Sequence, residues 1–418
     1  MSTEFLPDTL PATKKQLPPS AEHTAETYLE NCGFDLTKLN GWYDQGNYGH
    51  PRGNRGTNTV RFFLDESRQL MWERLIDPVT ISIEGKRETV DQNAQGLFDG
   101  LWWQPPGLEI NEEDRVFLCT GIFDAIAFNH NGHKAVAIMS HKNFPTESIE
   151  QHLGKNVKWR LAIGNDKNAR YALRQHAKRL QEMEELVGAV LSSEFDENIG
   201  WDHLYKTGKL TAEDMTRYRY FGKLELAKNA YDKARVIWDN NQKKRFFVFT
   251  FINSTYSFNI NPDEYDKAHK LAHERDPLTA DQLAFDHASK IDEIATFRME
   301  FLYFQKPENG EDGQYFFRLN FSNKADEEQI ALGGNILAGA GDFKKVVGLK
   351  NPSALYKGKT EHLDFLRQNW MKHIPKIVST LDFMGYDRNT GAYVYKDYAV
   401  QDGKLIELNK ESFFELKK

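Results

Sequence analysis

Hydrophobic and polar positions between residues 115 and 191 predict a parallel β-sheet. Short apolar runs typical of buried strands alternate with segments whose apolar residues recur at helical spacing. A strand, a helix and a second strand joined in this order need right-handed crossovers, so the strands should be parallel. The predicted strands are Val116–Cys119, Ala135–Ile138, Val157–Ile163 and Gly188–Leu191, and the predicted helices between them are Phe123–Asn129, Pro145–Leu153 and the segment that follows Asp166.

The segment before this sheet predicts a β-rich module. Residues 1–20 contain four of the 14 prolines and show little periodicity, which indicates a flexible leader. Trp102 and Trp103 stand beside two prolines and are expected to anchor a seam between the module and the sheet. The predicted elements of the module are the helix Ala21–Cys32 and the strands Arg61–Leu64, Leu70–Leu75 and Thr80–Ile83.

Beyond the sheet the pattern changes to an α+β region without regular alternation. We therefore expect a leader at 1–20, a β-rich module at 21–107, an α/β domain at 108–207 and an α+β region at 208–418 that is long enough for two subdomains. Predicted helices are Leu224–Trp238, Glu264–Glu274, Thr279–Ile291, Glu328–Gly339 and Glu361–Ser379. Predicted strands are Lys244–Phe251, Thr255–Ile260, Phe297–Gln305, Gln314–Asn320, Ala392–Val400 and Lys404–Leu408.

Composition narrows the class of protein. Of the 418 residues, 40% are hydrophobic and 13% aromatic, enough for about two or three domains with their own cores. A net charge of -7 argues against a protein that coats nucleic acid along its whole surface. Cys32 and Cys119 are too few for a zinc site, so no zinc is expected, and they imply no disulfide framework. No apolar run of about 18 residues occurs, so we expect a cytoplasmic protein without membrane contact.

Polar residues follow the predicted strands at the edge where ligands bind in open α/β sheets. Thr120-Gly121 follows the first strand, and Gly164-Asn165-Asp166 follows the third. Asp124 lies in the first turn of the helix after the first strand and could face the same crevice. Both acids are candidate metal ligands, although acids near helix N-termini also serve as caps, and this alternative stays open.

These residues resemble a TOPRIM domain, the metal-dependent fold of DNA primases, topoisomerases and some nucleases. That family has Glu-Gly at a strand end, an Asp three residues later, and Asp-x-Asp after a later strand. Gly121, Asp124 and Asp166 match this pattern. The resemblance implies Mg²⁺ or Mn²⁺ held by Asp166, Asp124 and Asp202, with Asp166, Asp124 and Thr120 at the catalytic positions.

The chain departs from the family at positions that matter for catalysis. Thr120 stands where the family has its glutamate, and Gly164 stands where it has the first aspartate. His203, in Trp201-Asp202-His203-Leu204, replaces a third acid. Two hypotheses follow: a primase that joins ribonucleotides, and a catalytically degraded module that binds DNA or a replication partner. A TOPRIM nuclease is disfavoured, because no ATPase motif accompanies the domain.

The resemblance extends from about Gly53 to the end of the chain. Blocks such as Gly121-Ile-Phe-Asp-Ala-Ile-Ala and Met139-Ser-His-Lys-Asn-Phe-Pro resemble the amino-terminal portion of TOPRIM primase-helicases of bacterial plasmids, integrative elements and phages. No GxxxxGK[ST] occurs, so the likeness is to the primase-like half alone. It implies single-stranded DNA and nucleotides as ligands, a replicative helicase as a possible partner, and replication of a mobile element as the setting.

Two basic segments are candidates for nucleic-acid binding. One is a stripe on the helix after Asp166, and the other is a glycine-rich loop with neighbouring tyrosines, a mixture that suits single strands. A solvated helix face and an ordinary surface loop are the alternatives. The candidate residues are Lys167, Arg170, Arg174 and Lys178 in the stripe and Arg52 and Arg55 in the loop, with Arg61 nearby.

Overall fold

The structure, a computed structural model, forms two compact units, Met1–Leu226 and Ala227–Lys418. It describes residues 23–49, 56–83, 86–96, 98–193, 199–241, 243–307, 313–321, 328–372, 377–380, 385–387, 392–394, 398–401 and 403–407. The predicted leader therefore lies outside the described residues. The division at 107 and 207 stays a prediction.

The first unit begins with an antiparallel sheet of four strands in the order β1-β2-β3-β4. Its strands are β1 (Asp44–Gly49), β2 (Gly56–Phe63), β3 (Met71–Ile83) and β4 (Lys86–Gln95), preceded by helix α1 (Ala25–Asn31) and a 3₁₀ turn, Leu36–Leu39. The sequence predicts two separate strands at Leu70–Leu75 and Thr80–Ile83. This is wrong in one respect, because both belong to the single strand β3, on either side of a shift in its register with β4. The sequence did not predict β4, because its residues are mostly polar.

The second sheet of this unit is the parallel sheet that the sequence predicts. All its pairs are parallel, and the strand order is β6-β5-β7-β8. The strands are β5 (Arg115–Cys119), β6 (Lys134–Ala137), β7 (Lys158–Ala162) and β8 (Leu186–Ala189), and the helices are α2 (Ile122–His130), α3 (Thr146–Glu150), α4 (Lys167–Glu182), α5 (Trp201–Lys206) and α6 (Ala212–Glu225).

Each face of the parallel sheet is covered by its own apolar core. Phe117 and Cys119 belong to one core, and Val116 and Leu118 belong to the other, as expected for alternating side chains of a strand buried on both faces. Trp103 is fully buried, and its backbone N–H donates to Ala137 O at 2.7 Å. The Trp103 ring also lies 5.6 Å from the ring of Phe62 in β2, so this tryptophan contacts both the antiparallel and the parallel sheet.

Helix α6 approaches strand β8 so closely that only glycine fits at the contact. A Cβ added to Gly222 would lie 2.0 Å from Ala189 O and 2.8 Å from Val190 N. Backbone atoms cannot rotate away as a flexible side chain can, so the helix would have to move. Gly222 therefore fixes the position of α6 over this face of the sheet.

The described residues of the second unit form three further sheets. One is antiparallel with the order β11-β10-β9, one has the order β14-β13-β12-β15 with β12 and β15 parallel, and one is the meander β16-β17-β18-β19. The strands are β9 (Phe246–Phe251), β10 (Ser254–Ile260), β11 (Ser289–Ala295), β12 (Phe297–Pro307), β13 (Gln314–Phe321), β14 (Glu328–Gly333), β15 (Ile377–Thr380), β16 (Gly385–Asp387), β17 (Ala392–Val394), β18 (Tyr398–Gln401) and β19 (Lys404–Glu407). The helices are α7 (Ala230–Asn240), α8 (Pro262–His273), α9 (Ala280–Ala288), α10 (Ala340–Lys350) and α11 (Thr360–Lys372), with a 3₁₀ turn at Ile336–Ala338.

Several predicted elements of the second half are wrong at identifiable points. The helix predicted over Leu224–Trp238 is interrupted, because the Asn229 side chain caps a new helix by accepting from Asp232 N at 2.8 Å. The helix predicted over Glu328–Gly339 begins as a strand instead, since Glu328–Gly333 pairs with β13. The helix predicted over Glu361–Ser379 ends at Lys372.

Two further predicted elements end at other residues than the sequence pattern indicates. The helix predicted over Thr279–Ile291 ends at Ala288, and β11 begins at the next residue. The single strand predicted over Ala392–Val400 is divided into β17 and β18, and β16 pairs with β17. The four strands predicted between Lys244 and Asn320 are confirmed as two antiparallel pairs, β9 with β10 and β12 with β13. None of the described helices combines the length and the apolar character needed to cross a bilayer.

Substitution of Gly222 by alanine should destabilise the first unit by about 1–3 kcal/mol or more, because the methyl group would overlap backbone atoms of β8. Chemical denaturation of the full chain measures the change. Gly348→Ala is the control, since an added Cβ there meets nothing within 4 Å in α10. That change should raise helix stability by up to about 1 kcal/mol. Equal behaviour of the two variants would contradict the close approach of α6 to β8.

Candidate active site at the carboxyl edge of the parallel sheet

The candidate site lies where the chain changes direction within the parallel sheet. Helix α2 leads from β5 to β6 on one side, and the chain then returns past β5 to β7 on the other. The connections that leave β5 and β7 therefore diverge, and a crevice opens beyond their carboxyl ends. Thr120 and Gly164 stand just after these two strand ends.

Thr120 links the ends of the two central strands. Its Oγ1 donates a hydrogen bond to the backbone carbonyl of Ile163. Gly164, which follows Ile163, has a backbone φ of +133°, a conformation that residues other than glycine rarely adopt. An added Cβ at Gly164 would also lie 3.2 Å from Ala169 Cβ. The loop that follows β7 is thus built around a residue without a carboxylate.

Asp124 connects helix α2 to the start of helix α5. Its Oδ1 accepts hydrogen bonds from Trp201 N at 2.8 Å and from Asp202 N at 3.2 Å. Burial, and after it the nearby Asp202 charge, raise the pKa of Asp124 to about 7 against the lowering effect of the backbone N–H donors. The side chain keeps some exposed surface. Asp124 is therefore a positioned carboxyl group that can gain or lose a proton near neutral pH.

Asp202 shares a small space with Asp124. A Cβ added to Gly200 would lie 2.4 Å from Asp202 Oδ1 and 3.6 Å from Asp124 Oδ1, so the absence of a side chain leaves room between the two groups. Asp202 Oδ1 also accepts from His203 N at 2.8 Å. The sequence suggested the two acids, but the role of Gly200 follows only from the fold.

This pair of acids fits the ligand set of a magnesium ion. Mg²⁺ often takes one or two protein carboxylates and completes its shell with water and substrate phosphate oxygens. Among the residues that the structure describes, no group of three or more His, Cys, Asp or Glu side chains could hold a metal. Asp124 and Asp202 are two acids that could hold such an ion together, with the remaining ligands supplied from solution.

Asp166 caps helix α4. Its Oδ1 accepts from Asn168 N at 2.9 Å and from Ala169 N at 3.1 Å. The helix-cap alternative that the sequence left open is therefore present. Asp166 remains partly exposed at the end of β7, and its predicted metal and catalytic roles stay predictions.

The predicted basic stripe divides into two kinds of residue. Arg170 donates to Glu225 Oε2 at 2.9 Å and to Ser193 O at 3.2 Å, and Arg174 pairs with the other oxygen of Glu225. These two side chains hold α4 against the end of α6. Lys167 is exposed, and Lys178 is 72% exposed with a loose pairing to Glu182 at 3.6 Å. The lysines are therefore the members most accessible to a phosphate.

The second basic segment can be placed only in part. Arg52 and Arg55 lie outside the described residues. Arg61 does not extend into solvent as the sequence suggested, because its Nε and Nη2 donate to Glu73 Oε2 at 3.1 and 3.0 Å. Thr59 donates to the same oxygen, and Glu73 is 2% exposed. Arg61 therefore compensates a buried charge within the antiparallel sheet.

Sequence reasoning missed Glu225, which neutralises part of the stripe. Glu225 lies at the C-terminal end of α6, so no spacing along the chain connects it to α4. Its side chain is only 11% exposed, and this burial strengthens its two charged hydrogen bonds with the arginines. A tertiary contact of this kind leaves no local signal in the sequence.

Comparisons with known proteins give structural similarities of low identity. No protein-family model and no curated protein sequence matches the chain. The RNA polymerase domain of Mycobacterium tuberculosis primase DnaG is 13% identical over 46% of this chain and 65% of that chain, with a TM-score of 0.26. The chain thus spans less than two thirds of that domain.

Two further primase structures are similar to the chain. A DnaG primase catalytic domain bound to single-stranded DNA is 15% identical over 51% of this chain and 80% of that chain, with a TM-score of 0.32. The zinc-binding and RNA polymerase domains of Aquifex aeolicus primase are 12% identical over 52% and 67%, with a TM-score of 0.30. The activity of this chain is inferred below from its own residues.

The raised pKa of Asp124 predicts a pH dependence of stability. Its folded pKa of about 7 lies above its ordinary 3.8, so the folded state binds more protons between these values. The free energy of unfolding should therefore fall as pH rises from about 4 to about 7, by on the order of 1–4 kcal/mol for this group, and stay level above. Asp124→Asn should lose this component.

The measurement is denaturation of both proteins without metal from pH 4 to pH 8, and the informative quantity is the difference between their profiles. Other titrating groups cancel in this difference, including His176, whose pKa burial lowers to about 4. Parallel profiles for the two proteins would show that Asp124 keeps an ordinary pKa.

Proposed function

We propose that the parallel sheet of this chain is a TOPRIM core and that the chain is a primase-type protein acting on single-stranded DNA. The reaction would be metal-dependent nucleotidyl transfer with Mg²⁺ or Mn²⁺, in the replication of a mobile element. The observation that carries this proposal is the shared space of Asp124 and Asp202 beside the switch point of the sheet. The sequence motifs around Gly121 and Asp166 support the same assignment.

The acids of the site have distinct tasks in this proposal. Asp124 and Asp202 would hold the divalent ion, which when bound neutralises charge on the reacting phosphates. The N–H groups of Trp201 and Asp202 hold the Asp124 carboxyl group in one orientation. Thr120 Oγ1 is committed to Ile163 O, so it is a positioning group here and takes no proton.

The proposal predicts that primer synthesis depends on the carboxylate pair. The full chain, a single-stranded template and labelled ribonucleotides with Mg²⁺ or Mn²⁺ should give extended products. Asp202→Asn should reduce the product about 100-fold or more, since removal of one charged ligand weakens stabilisation of phosphate charge. Asp166→Asn should reduce it as well, because Asp166 is the third proposed metal ligand. The cap of α4 should be kept, because asparagine caps helices as well as aspartate does.

Asp99→Asn is the matched control, since Asp99 is an exposed acid outside the site. Its product should equal that of the unaltered protein. Full activity of the Asp202 variant would exclude the carboxylate pair as the metal site. Absence of product from the unaltered protein with either metal would exclude the enzymatic function.

Binding of single-stranded DNA should depend on the exposed lysines of α4. Lys167→Gln should weaken binding at low salt and reduce the slope of log affinity against log salt by about 0.7, the value for one lost phosphate contact to a single strand. Titrations of a labelled oligonucleotide at several salt concentrations measure both quantities. Lys209→Gln, at another exposed lysine, is the control. An unchanged slope for the Lys167 variant would remove α4 from the DNA-binding surface.

A second candidate function is favoured by the hydrogen bond of Thr120. A residue that occupies the position of the family's glutamate and binds a backbone carbonyl supplies neither a charged ligand nor a general base. A module that binds DNA or a replicative helicase without chemistry would have this arrangement. Salt-sensitive DNA binding together with no primer product would select this function over the first.

A further inference from the structure

A cluster of positively charged groups lies on the sheet face that α6 covers, away from the carboxyl edge. Arg160 on β7 pairs in register with Phe117 on β5 and with Gly188 on β8. Arg115 precedes Phe117 by two residues, so its side chain belongs to the same face. Arg219 reaches this face from α6, whose place over the sheet is fixed at Gly222.

The backbone makes room for the central arginine of this cluster. A Cβ added to Gly188 would lie 2.7 Å from Arg160 Nη1 and 3.2 Å from its Cζ, so the guanidinium lies over the glycine. Arg160 Nη1 donates to the carbonyl of Trp159 at 3.0 Å. The ring of His133 packs 5.3 Å from the ring of Phe117 on the same face. This face of the sheet therefore carries several nitrogen donors.

These cations face one another without a neutralising acid among the described residues. No described carboxylate lies within 4.0 Å of Arg115, Arg160 or Arg219, although other arginines of this unit have such partners. Arg219 Nε is buried and has no hydrogen-bond partner in the described part of the chain. Burial lowers the pKa of Arg160, and the charges of Arg115 and Arg219 lower it further.

The same two arginines act on His133. Burial lowers the pKa of His133, and repulsion from Arg219 and Arg115 adds to the effect. Guanidinium groups that repel one another at a partly buried place cost free energy unless an anion binds between them. Planar guanidinium groups match the oxygens of a phosphate, and the neutral imidazole can add a hydrogen bond.

We propose that Arg115, Arg160 and Arg219 form a second site, distinct from the carboxyl edge, for the phosphate group of a small ligand. Orthophosphate, diphosphate and the phosphates of a nucleotide share the chemistry that this site recognises. The partly buried Arg160 and Arg219 favour a compact anion, and the exposed Arg115 marks the entrance. The site does not depend on the proposed primase activity.

The test is binding of sodium orthophosphate to the full chain. Calorimetry and thermal unfolding measure this binding, at a constant ionic strength set with sodium chloride. Phosphate should raise the unfolding temperature in a saturable manner. Arg219→Gln should weaken phosphate binding about tenfold or more, as expected for a lost charged hydrogen bond. Without phosphate, this variant should be at least as stable as the unaltered protein, because one repelling charge is gone.

Arg217→Gln is the matched control on the same helix, since Arg217 pairs with Asp214 at 2.8 Å and should not affect phosphate binding. If the Arg219 variant does not fold, Arg115→Gln replaces it, because Arg115 is exposed. Unchanged phosphate affinity in the tested variant would overturn the proposal. An equal loss in the Arg217 variant would overturn it too.

Two competition arms identify the source of the phosphate. Displacement of orthophosphate by diphosphate or by a nucleoside triphosphate, lost in the Arg219 variant, supports the small-ligand site and names the class. The second arm uses a DNA oligonucleotide without terminal phosphates. If this oligonucleotide binds in an Arg219-dependent manner while orthophosphate does not bind, the small-ligand site is overturned in favour of a nucleic-acid surface. Since Asp202 takes no part, phosphate binding should persist in Asp202→Asn whether or not primers are made.

Discussion

Parallel pairing of β5, β6, β7 and β8 is the constraint on which both candidate sites of this chain depend. Because every strand runs in the same direction, all carboxyl ends meet at one edge and all amino ends at the other. Residues distant in sequence, such as Thr120 and Gly164, are thereby brought to one crevice. The strand register likewise places Arg115 and Arg160 on one face. Acids and arginines thus occupy different parts of a single small sheet.

The departures from the TOPRIM pattern are physically connected. Thr120 donates to the carbonyl of Ile163, and the next residue is Gly164 with its positive φ. A glutamate at position 120 and an aspartate at position 164 would place two negative charges at the ends of adjacent strands, which a bound cation would have to compensate. Here a neutral hydrogen bond joins the two strand ends instead. The acids Asp124 and Asp202 are brought together from outside the sheet, because the first two N–H groups of α5 donate to Asp124.

The sequence predicts what depends on local pattern and fails where tertiary contacts decide. Apolar runs predicted the strands of the parallel sheet, because a strand buried on both faces has few polar positions. The polar strand β4 is not predicted by the sequence pattern. Glu328–Gly333 is predicted as a helix but forms a strand, because pairing with β13 outweighs its own propensity.

The same distinction holds at the candidate site. Asp124 and Asp166 could be chosen from motifs and strand ends, but their contacts with α5 and α4 depend on the fold. Neither the space left by Gly200 nor the binding of Glu225 by two arginines could be read from spacing.

The clamp of Glu225 by Arg170 and Arg174 has a consequence for how α4 could handle a polymer. With the two middle cations engaged, the accessible charges are Lys167 near the start of the helix and Lys178 near its end, about 16 Å apart at 1.5 Å per residue. A strand lying along this helix would be held at two separated points with a slack span between them. The accessible positive charge of α4 is thus divided between its two ends and does not form a continuous stripe.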